Sequence, residues 1–397
     1  MQDIFDFQRR CLRLLGNVVA TQQKQWATNH TEQIFYCLGI LFIAVAIIFE
    51  IKYCVFYLND LSLLTSALSI ILTTIVSVVK MSTFFLYKNK FLNTMQKFSE
   101  MFDQMRDPEA SHILKTENAL AKRLAKAYFY CTLFTGFYFM LTPWVKFFWM
   151  KVVKQEEMEL ELPFPMRFPF GFQSAPVYLA LYIYSAVLVF TVVMYSTAVD
   201  GLFFIFAFNL RAHFKSLQTF IERPTFLEDD NNDEGVRGGY GGKKLQTDIG
   251  NLVRYHKMLL QQSEEVCEIY KPVICGQLLI TSLDVCVIVY RLVSLEHSDI
   301  MNLLIYATFL CAILLQLFIY CYGGEIVSNE SLQVGIAIQL SNWYNLSPSH
   351  RRMLLLMLLR SQRVVSMRAY IYDASLVNFM MILKAAMSYI TLIQSIE

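Results

Sequence analysis

Long apolar stretches alternate with polar connections along the chain. Seven stretches are long enough to cross a bilayer as α-helices, which takes about 20 apolar residues each. They lie at residues 34–58, 61–79, 127–149, 176–199, 272–293, 300–322 and 374–396. The pattern therefore predicts an all-α membrane protein with seven transmembrane helices, which also makes the lipid bilayer a partner of the chain.

Lys and Arg residues collect on one side of these spans. Of the 34 in the chain, 27 fall in the N-terminal segment and in the connections after spans 2, 4 and 6. Five fall in the other connections or near the outer ends of spans 1 and 5. Because positive residues accumulate on the cytoplasmic side of membrane proteins, the N-terminus is predicted to be cytoplasmic. After seven crossings the C-terminus is extracellular, which is opposite to the orientation of a G-protein-coupled receptor.

The cytoplasmic connections carry helical patterns of their own. Apolar residues recur every three to four positions at 91–105, 245–267 and 332–343, which is the period of an α-helix. These stripes pack either against the chain's own core or against other subunits. Residues 228–244 are instead acidic and then Gly-rich, which predicts disorder. The extracellular connection 150–175 is rich in Pro and aromatic residues and is predicted to fold as a cap.

Composition narrows the class of protein further. With 56% hydrophobic and 17% charged residues and a net charge of +2, the chain has no basic surface that would indicate nucleic acid as a partner. The six His and nine Cys residues form no metal-binding spacing, and no phosphate-binding loop or nucleophile motif is present. The sequence therefore predicts neither an enzyme nor a cofactor.

Polar and aromatic side chains recur in the outer halves of spans 2 to 5. They either hold neighbouring helices together or line a pocket for a small, mostly apolar ligand, and the aromatic residues of spans 3 and 4 favour the pocket. The candidate ligand-binding residues are Ser66, Ser69, Ile70, Thr73, Leu133, Gly136, Phe137, Met140, Tyr178, Tyr182, Ser185, Thr281 and Ser282.

The last span carries polar residues that lipid would disfavour. Lys384, Ser388, Thr391 and Ser395 follow one another at helical spacing, so they form one stripe along the helix. Polar groups inside a membrane face other protein segments or water. The stripe is therefore predicted to face a neighbouring subunit or an aqueous path.

Three motifs lie in the C-terminal part of the chain: "YGGEIVSNES" at 322–331, "AIQLSNWYNLSPSHRRMLLLMLLRSQRVVSMRAY" at 337–370 and "FMMILKAAMSYITLIQS" at 379–395. Together they resemble the C-terminal signature of insect odorant receptors. The insertion between spans 4 and 5 is shorter than in the odorant co-receptor of that family. The ending also differs from that of gustatory receptors, because Ser388-Tyr389 is followed after four residues by Gln394-Ser395. The chain thus resembles a ligand-tuning odorant receptor.

The resemblance implies a ligand-gated, nonselective cation channel of four subunits, in which this chain assembles with odorant co-receptor subunits. It implies a cytoplasmic N-terminal segment at 1–33, a ligand-binding bundle at 34–322, an anchor domain at 323–373 and a pore-lining helix at 374–397. A small volatile odorant would bind in the outer half of the bundle. The expected location is the plasma membrane of olfactory sensory neuron dendrites.

The resemblance also places the gate of the channel in the last span. It implies a constriction at Leu392, with Ser388, Thr391, Gln394 and Ser395 nearby. Adjacent helical residues point about 100° apart, so Thr391 and Leu392 do not both face the central axis. The polar stripe favours Thr391 and the resemblance favours Leu392, and the sequence leaves both alternatives open.

Two other functions remain as alternatives. A gustatory-type channel that works without a co-receptor would share the architecture. A G-protein-coupled receptor would also have seven spans, but the charge distribution opposes it. The last span also lacks the Asn-Pro-x-x-Tyr motif, because Asn378 is followed by Phe379.

Overall fold

A computed structural model describes residues 4–15, 25–154, 161–171, 174–223, 241–294 and 300–394 of the chain. The described segments are almost entirely helical. In chain order the helices are α1 Asp6–Leu14, α2 Gln25–Phe56, α3 Leu61–Leu86, α4 Lys88–Gln104, α5 Pro108–Trp149, α6 Ala175–Glu222, α7 Gly241–Val293, α8 Ile300–Leu340, α9 Pro348–Ser361 and α10 Leu376–Gln394. A π-helical turn, Met150–Lys154, continues α5, and a 3-10 turn, Trp343–Asn345, precedes α9.

The all-α fold with seven spans is confirmed. Each predicted span coincides with a helix of its own, in the order α2, α3, α5, α6, α7, α8 and α10. The first and last predicted spans, 34–58 and 374–396, extend two residues beyond the helix ends at Phe56, Leu376 and Gln394. By length and apolar composition alone, five of the described helices could cross a membrane, namely α2, α3, α6, α7 and α8. The membrane part of α5 contains many Thr, Tyr and Trp residues, which lower its mean hydropathy, and the apolar part of α10 is short.

Local sequence signals set the starts of several helices. Asp60 caps α3 by accepting a hydrogen bond from the backbone N–H of Leu63 at 3.1 Å. Asp107 caps α5 in the same way through Ala110 at 3.0 Å, and Pro108 occupies the first turn. A carboxylate at the N-cap satisfies an N–H that the helix itself leaves unpaired. These caps explain why new helices begin directly after polar connections.

The helices continue below the membrane and pack into one large core. The apolar stripes at 91–105, 245–267 and 332–343 contribute buried residues to it. Phe98 stacks near Phe206 with 5.5 Å between ring centroids, and Phe91 meets Tyr270 edge to face at 5.3 Å. Of the two alternatives for these stripes, packing against the chain's own core accounts for their buried faces.

A buried histidine shows that the core below the membrane excludes water. His213 on α6 is fully buried, and its Nδ1 lies 2.7 Å from the hydroxyl of Tyr255 on α7. Burial lowers the pKa of His213 to about 3, since desolvation disfavours the charged imidazolium. The ring is therefore neutral at pH 7 and acts as a packing and hydrogen-bonding group.

The extracellular connection folds back onto the bundle within its described part, 161–171. The backbone N–H of Arg167 donates to the carbonyl of Phe49 at 3.1 Å, and the ring of Phe168 lies 4.4 Å from that of Phe49. Met166 is buried against α2 and α6. We call residues 161–171 the cap, and its contacts agree with the folded connection predicted from Pro and aromatic residues.

The end of the segment predicted to be disordered, 228–244, is helical instead. Residues 228–240 lie outside the described residues, whereas 241–244 form the first turn of α7. The helical period that begins at Leu245 therefore extends one turn upstream, through Gly241, Gly242 and two lysines.

A short hairpin leads into the last helix. Strands β1, Arg368–Ala369, and β2, Tyr372–Asp373, pair antiparallel, with Arg368 opposite Asp373. Glu325 on α8 then accepts a hydrogen bond from the backbone N–H of Leu376 at 3.2 Å and so caps α10. At the same junction Gly324 lies directly against the backbone of Ala374. This close approach requires glycine, because a Cβ there would overlap the Ala374 carbonyl oxygen.

We therefore expect Gly324→Ala to destabilise the junction between α8 and α10 by about 1–3 kcal/mol, the usual cost of overpacking. Gly171→Ala is the matched control, because a Cβ at Gly171 would meet nothing within 4 Å. Thermal unfolding of the detergent-solubilised protein measures the difference. Equal melting temperatures for the two variants would contradict the close approach.

Candidate functional site

A cavity of about 150 Å³ lies in the bundle between α2, α3, α5, α6 and α8, below the cap. Most of its wall is apolar, and each of these helices and the cap contributes. The lining residues are Glu50, Ile70, Thr73, Thr74, Ser77, Tyr128, Thr132, Thr135, Gly136, Phe139, Phe164, Leu188, Val189, Val192, Val193, Ser196, Phe309, Ala312, Ile313 and Gln316. We call this space the inner cavity.

The hydroxyl groups in the wall are occupied by other protein groups. Thr74 donates to the carbonyl of Ile70 at 2.8 Å, and Thr135 donates to the carbonyl of Cys131 at 3.0 Å. Such bonds to the preceding helical turn satisfy the hydroxyl donor. Thr73 donates instead to the carboxylate of Asp284 on α7 at 2.9 Å. The Thr-rich wall therefore offers a ligand mainly methyl groups.

Close helix packing shapes one side of the cavity. A Cβ at Gly136 on α5 would lie 2.8 Å from the Val189 side chain and 3.4 Å from that of Val193, both on α6. The absent side chain lets α5 and α6 approach each other closely. It also keeps open the part of the cavity that these valines border.

The floor of the cavity is a buried polar network around Asp200 of α6. The ammonium of Lys80 on α3 lies 2.8 Å from each carboxylate oxygen, and both side chains are fully buried. Tyr128 of α5 donates to the same carboxylate at 2.6 Å, Gln316 of α8 donates at 2.9 Å, and Tyr320 of α8 donates to its other oxygen. We call these five residues the Asp200 network.

The network joins the cavity to four helices at once. Tyr128 and Gln316 line the inner cavity while they bond Asp200. A further bond, from Gln277 of α7 to the side-chain oxygen of Gln316 at 3.1 Å, extends the network to a fifth helix. A ligand that displaces Gln316 or Tyr128 would therefore act on α6 and α8 through hydrogen bonds.

A second cavity of about 400 Å³ lies next to the cap, and we call it the outer vestibule. It shares four lining residues with the inner cavity: Ile70, Phe139, Phe164 and Phe309. The rings of Phe139 and Phe309 meet edge to face with centroids 5.3 Å apart. These four apolar side chains thus form a partition between the two spaces.

The vestibule is more polar than the inner cavity. Arg291, Lys146 and Glu161 line it. Arg291 donates to the hydroxyl of Tyr306 at 3.1 Å and to that of Ser62. An apolar molecule that entered from this side would pass from a vestibule with charged side chains into a cavity with a mostly apolar wall.

Some of the candidate residues named from the sequence line these cavities. Ile70, Thr73 and Gly136 line the inner cavity, and Ser66, Ser69 and Ile70 line the vestibule. These residues lie on the faces of α3 and α5 that turn towards the bundle interior.

The other candidates lie elsewhere. On α5, Leu133 and Phe137 point outward, and on α6 the hydroxyl of Tyr182 donates a hydrogen bond to the carbonyl of Met140. The remaining polar candidates bond to their own helix or to the cap, as the alternative interpretation from the sequence predicts. Tyr178 donates to the carbonyl of Glu161, Ser185 to that of Leu181 and Ser282 to that of Leu279, and the Thr281 hydroxyl accepts from the Gln277 amide.

The sequence interpretation missed two contributors to the site. Helix α8 supplies Phe309, Ile313 and Gln316, although span 6 was not included among the pocket helices. Helix α2 supplies Glu50, although span 1 was not included among the pocket helices either. A polar residue in the middle of an apolar span, such as Glu50 or Gln316, was the available signal.

The polar stripe of the last helix faces away from the rest of the chain. Lys384, Ser388 and Thr391 are exposed, whereas Ala386 is buried against α7 and α8. Leu392 and Gln394 lie within α10, but their side chains are outside the described part of the structure, and so is Ser395 altogether.

Comparisons with known proteins agree with one another. A family model described as 7tm Odorant receptor matches residues 60–387. The chain is 39% identical to Odorant receptor 82a of Drosophila melanogaster over all of both proteins, and 25% identical to Odorant receptor 9a of that species, covering 97% of this chain and 93% of the relative. The solved structure of the insect olfactory receptor OR5 from Machilis hrabei in complex with eugenol superposes with a TM-score of 0.82 at 17% identity, covering 99% of this chain and 98% of that one.

The buried ion pair generates a test of the network. We expect Lys80→Met to destabilise the protein by about 3–5 kcal/mol, because it leaves the Asp200 carboxylate buried without its cation. Adding Asp200→Asn should recover part of the loss, since the uncompensated charge is then removed. Thermal unfolding in detergent measures both effects.

Lys97→Met is the matched control for this test. Lys97 also pairs with a carboxylate, that of Glu265 at 2.7 Å, but about a third of each side chain is exposed. Exposed pairs contribute at most about 1 kcal/mol. A loss at Lys80 no larger than that at Lys97 would show that the network does not stabilise the bundle.

Proposed function

This chain belongs to the 7tm odorant receptor family, and from that premise we propose that it is the ligand-tuning subunit of an odour-gated cation channel. It is a multi-pass membrane receptor and not an enzyme. In the proposed function, a small volatile molecule occupies the inner cavity and shifts the arrangement of α10. The described helices supply a site for the ligand and a route from that site to α10.

The inner cavity is the observation that carries the proposal. An apolar cavity of about 150 Å³ holds a molecule the size of benzene, which is the size of a small odorant. Binding there gains about 25 cal/mol per Å² of apolar surface removed from water. Micromolar affinity for a ligand of about ten heavy atoms requires about −0.8 kcal/mol per atom, which lies within the range known for small ligands. The relative solved in complex with eugenol, a small aromatic ligand, supports a site of this scale.

The route from the cavity to the last helix runs along α8. Gln316 and Tyr320 hold Asp200, and the ring of Phe318, which lies between them in the sequence, meets that of Phe379 of α10 with centroids 5.6 Å apart. Glu325, about two turns below Phe318, caps α10. A ligand that favours one position of α8 therefore biases α10, by no more than its difference in affinity between the two positions.

The exposed polar stripe of α10 supports the pore assignment. In a single chain Lys384, Ser388 and Thr391 contact no core, and burying them in lipid would be costly. In a tetramer with odorant co-receptor subunits they would face the central axis or a neighbouring subunit. We propose that the constriction is formed at Thr391 or Leu392, with Gln394 and Ser395 beside it.

The proposal also concerns where the protein acts. A tuning subunit and a co-receptor would form a heterotetramer in the plasma membrane of olfactory sensory neuron dendrites. The Lys and Arg distribution supports an N-terminus in the cytoplasm, so the cap and the vestibule would face the outside, where an odorant arrives.

Patch-clamp recording from cells that express the chain with and without an odorant co-receptor tests this function. We expect volatile-evoked cation current only when both proteins are present and without added GTP. Current from this chain alone would indicate a homomeric, gustatory-type channel. Absence of current with a broad volatile panel, despite both proteins being at the cell surface, would contradict the proposal.

The size of the cavity leads to a second test. Ala312 lines the inner cavity on α8, so Ala312→Leu should fill part of it. Because overpacking costs about 1–3 kcal/mol, we expect the half-maximal concentration for ligands of about ten heavy atoms to rise roughly 5- to 100-fold. Ligands of about six heavy atoms should be affected less.

Leu133→Phe is the matched control for Ala312→Leu. It also adds bulk to a membrane helix, but Leu133 lines neither cavity and is largely exposed. We expect its ligand ranking to match that of the wild type. A change of ranking at Leu133 with none at Ala312 would place the ligand outside the inner cavity.

A further inference from the structure

Glu50 stands apart from every other polar group in the inner cavity. It lies on α2, its side chain is fully buried, and it contributes to the cavity lining. Among the residues that the structure describes, neither carboxyl oxygen has a hydrogen-bond partner. The remaining polar lining residues all have partners within the protein.

Those partners can be traced one by one. Tyr128 and Gln316 bond Asp200, and Thr73 bonds Asp284. The other lining hydroxyls donate to carbonyls of their own helices or share a contact, as follows: Thr74 with Ile70, Thr132 with Tyr128, Thr135 with Cys131, Ser77 with Thr73, and Ser196 with Ser77. Glu50 is thus the one described polar lining residue whose side chain makes no hydrogen bond within the protein.

An unpaired carboxyl group in such a place is costly. A buried polar group without a partner loses its bonds to water and gains nothing in return. The wall that α6 and the cap contribute includes Leu188, Val192 and Phe164, which offer no hydrogen bonds. A ligand with a complementary group would recover this cost on binding, and a purely apolar ligand would not.

We propose that Glu50 binds the hydroxyl group of the ligand and makes this receptor selective for small alcohols and phenols. A hydroxyl both donates and accepts, so it pairs with the carboxyl group in either protonation state. The apolar body of the ligand then lies against Phe309, Ile313 and Val193 on the other side of the cavity. This inference rests on the proposed odour-gated channel and names its ligand class.

Matched ligand pairs test the proposal. Benzyl alcohol and ethylbenzene have nearly the same shape, as do 1-hexanol and heptane, and in each pair the first has a hydroxyl where the second has a methyl group. Each pair is applied to cells that express the co-receptor with the wild-type chain, Glu50→Gln or Glu50→Leu. Surface labelling of each variant confirms equal amounts of receptor.

For the wild type we expect each alcohol to activate at a concentration about 10- to 100-fold lower than its hydrocarbon, as one buried hydrogen bond to a carboxyl group allows. Glu50→Leu should abolish this ratio, with a higher half-maximal concentration for the alcohol and a lower one for the hydrocarbon. Glu50→Gln, which still donates and accepts, should keep most of it.

Thermal stabilisation of the purified protein by the same four compounds gives a readout that needs no channel. Stabilisation by the alcohols that Glu50→Leu removes supports the assignment even if the channel proposal fails. Equal effects of alcohol and hydrocarbon on the wild type, or an alcohol preference that survives Glu50→Leu, would overturn it. Failure of all four compounds while other volatiles activate the wild type would also overturn it and would leave the proposed function intact.

Discussion

The ion pair between Lys80 and Asp200 is the constraint on which the rest of the bundle depends. Two opposite charges with no exposure to water are held 2.8 Å apart, and Tyr128, Gln316 and Tyr320 complete the carboxylate's hydrogen bonds. Removing ions from water costs several kcal/mol each, so such a pair is tolerated only where its geometry and its remaining bonds are satisfied. Each of α3, α5, α6 and α8 must therefore keep its position around Asp200.

In the proposed function, this constraint also determines where the ligand binds. The Asp200 network fills the interior of the bundle at the level of Asp200, and the apolar inner cavity lies directly above it. Gly136 brings α5 close to α6, the Phe139–Phe309 contact separates the cavity from the vestibule, and the cap covers the outer side. Because α8 belongs to the network, lines the cavity and contacts α10, the proposed ligand would act on the last helix through α8.

The sequence was sufficient to predict the spans, the helical extensions below the membrane and the folded cap, because each follows from local periodicity or composition. It also indicated Thr73 and Gly136, whose polar or small side chains stand out in apolar spans, together with their neighbour Ile70. It did not pair Lys80 with Asp200, which are 120 residues apart and each follow the inner end of a predicted span.

The differences between the predicted pocket residues and the lining of the inner cavity have a common physical cause. Tyr178 and Tyr182 suggested a pocket because aromatic residues commonly line one, but in a membrane helix they also suit helix contacts and the region near the membrane surface. The rotation of each helix about its axis is decided by packing against distant neighbours. Glu50 shows the same limit of sequence interpretation. Whether its carboxyl group is left without a hydrogen-bond partner depends on the packing of distant helices.

An electron cryomicroscopy structure of the chain with co-receptor subunits in a lipid environment, with a saturating agonist, tests the central claim most directly. The account predicts ligand density in the inner cavity, between Phe139 and Gln316 and above an intact Lys80–Asp200 pair. Density confined to the vestibule or to a subunit interface, with the inner cavity empty, would contradict it.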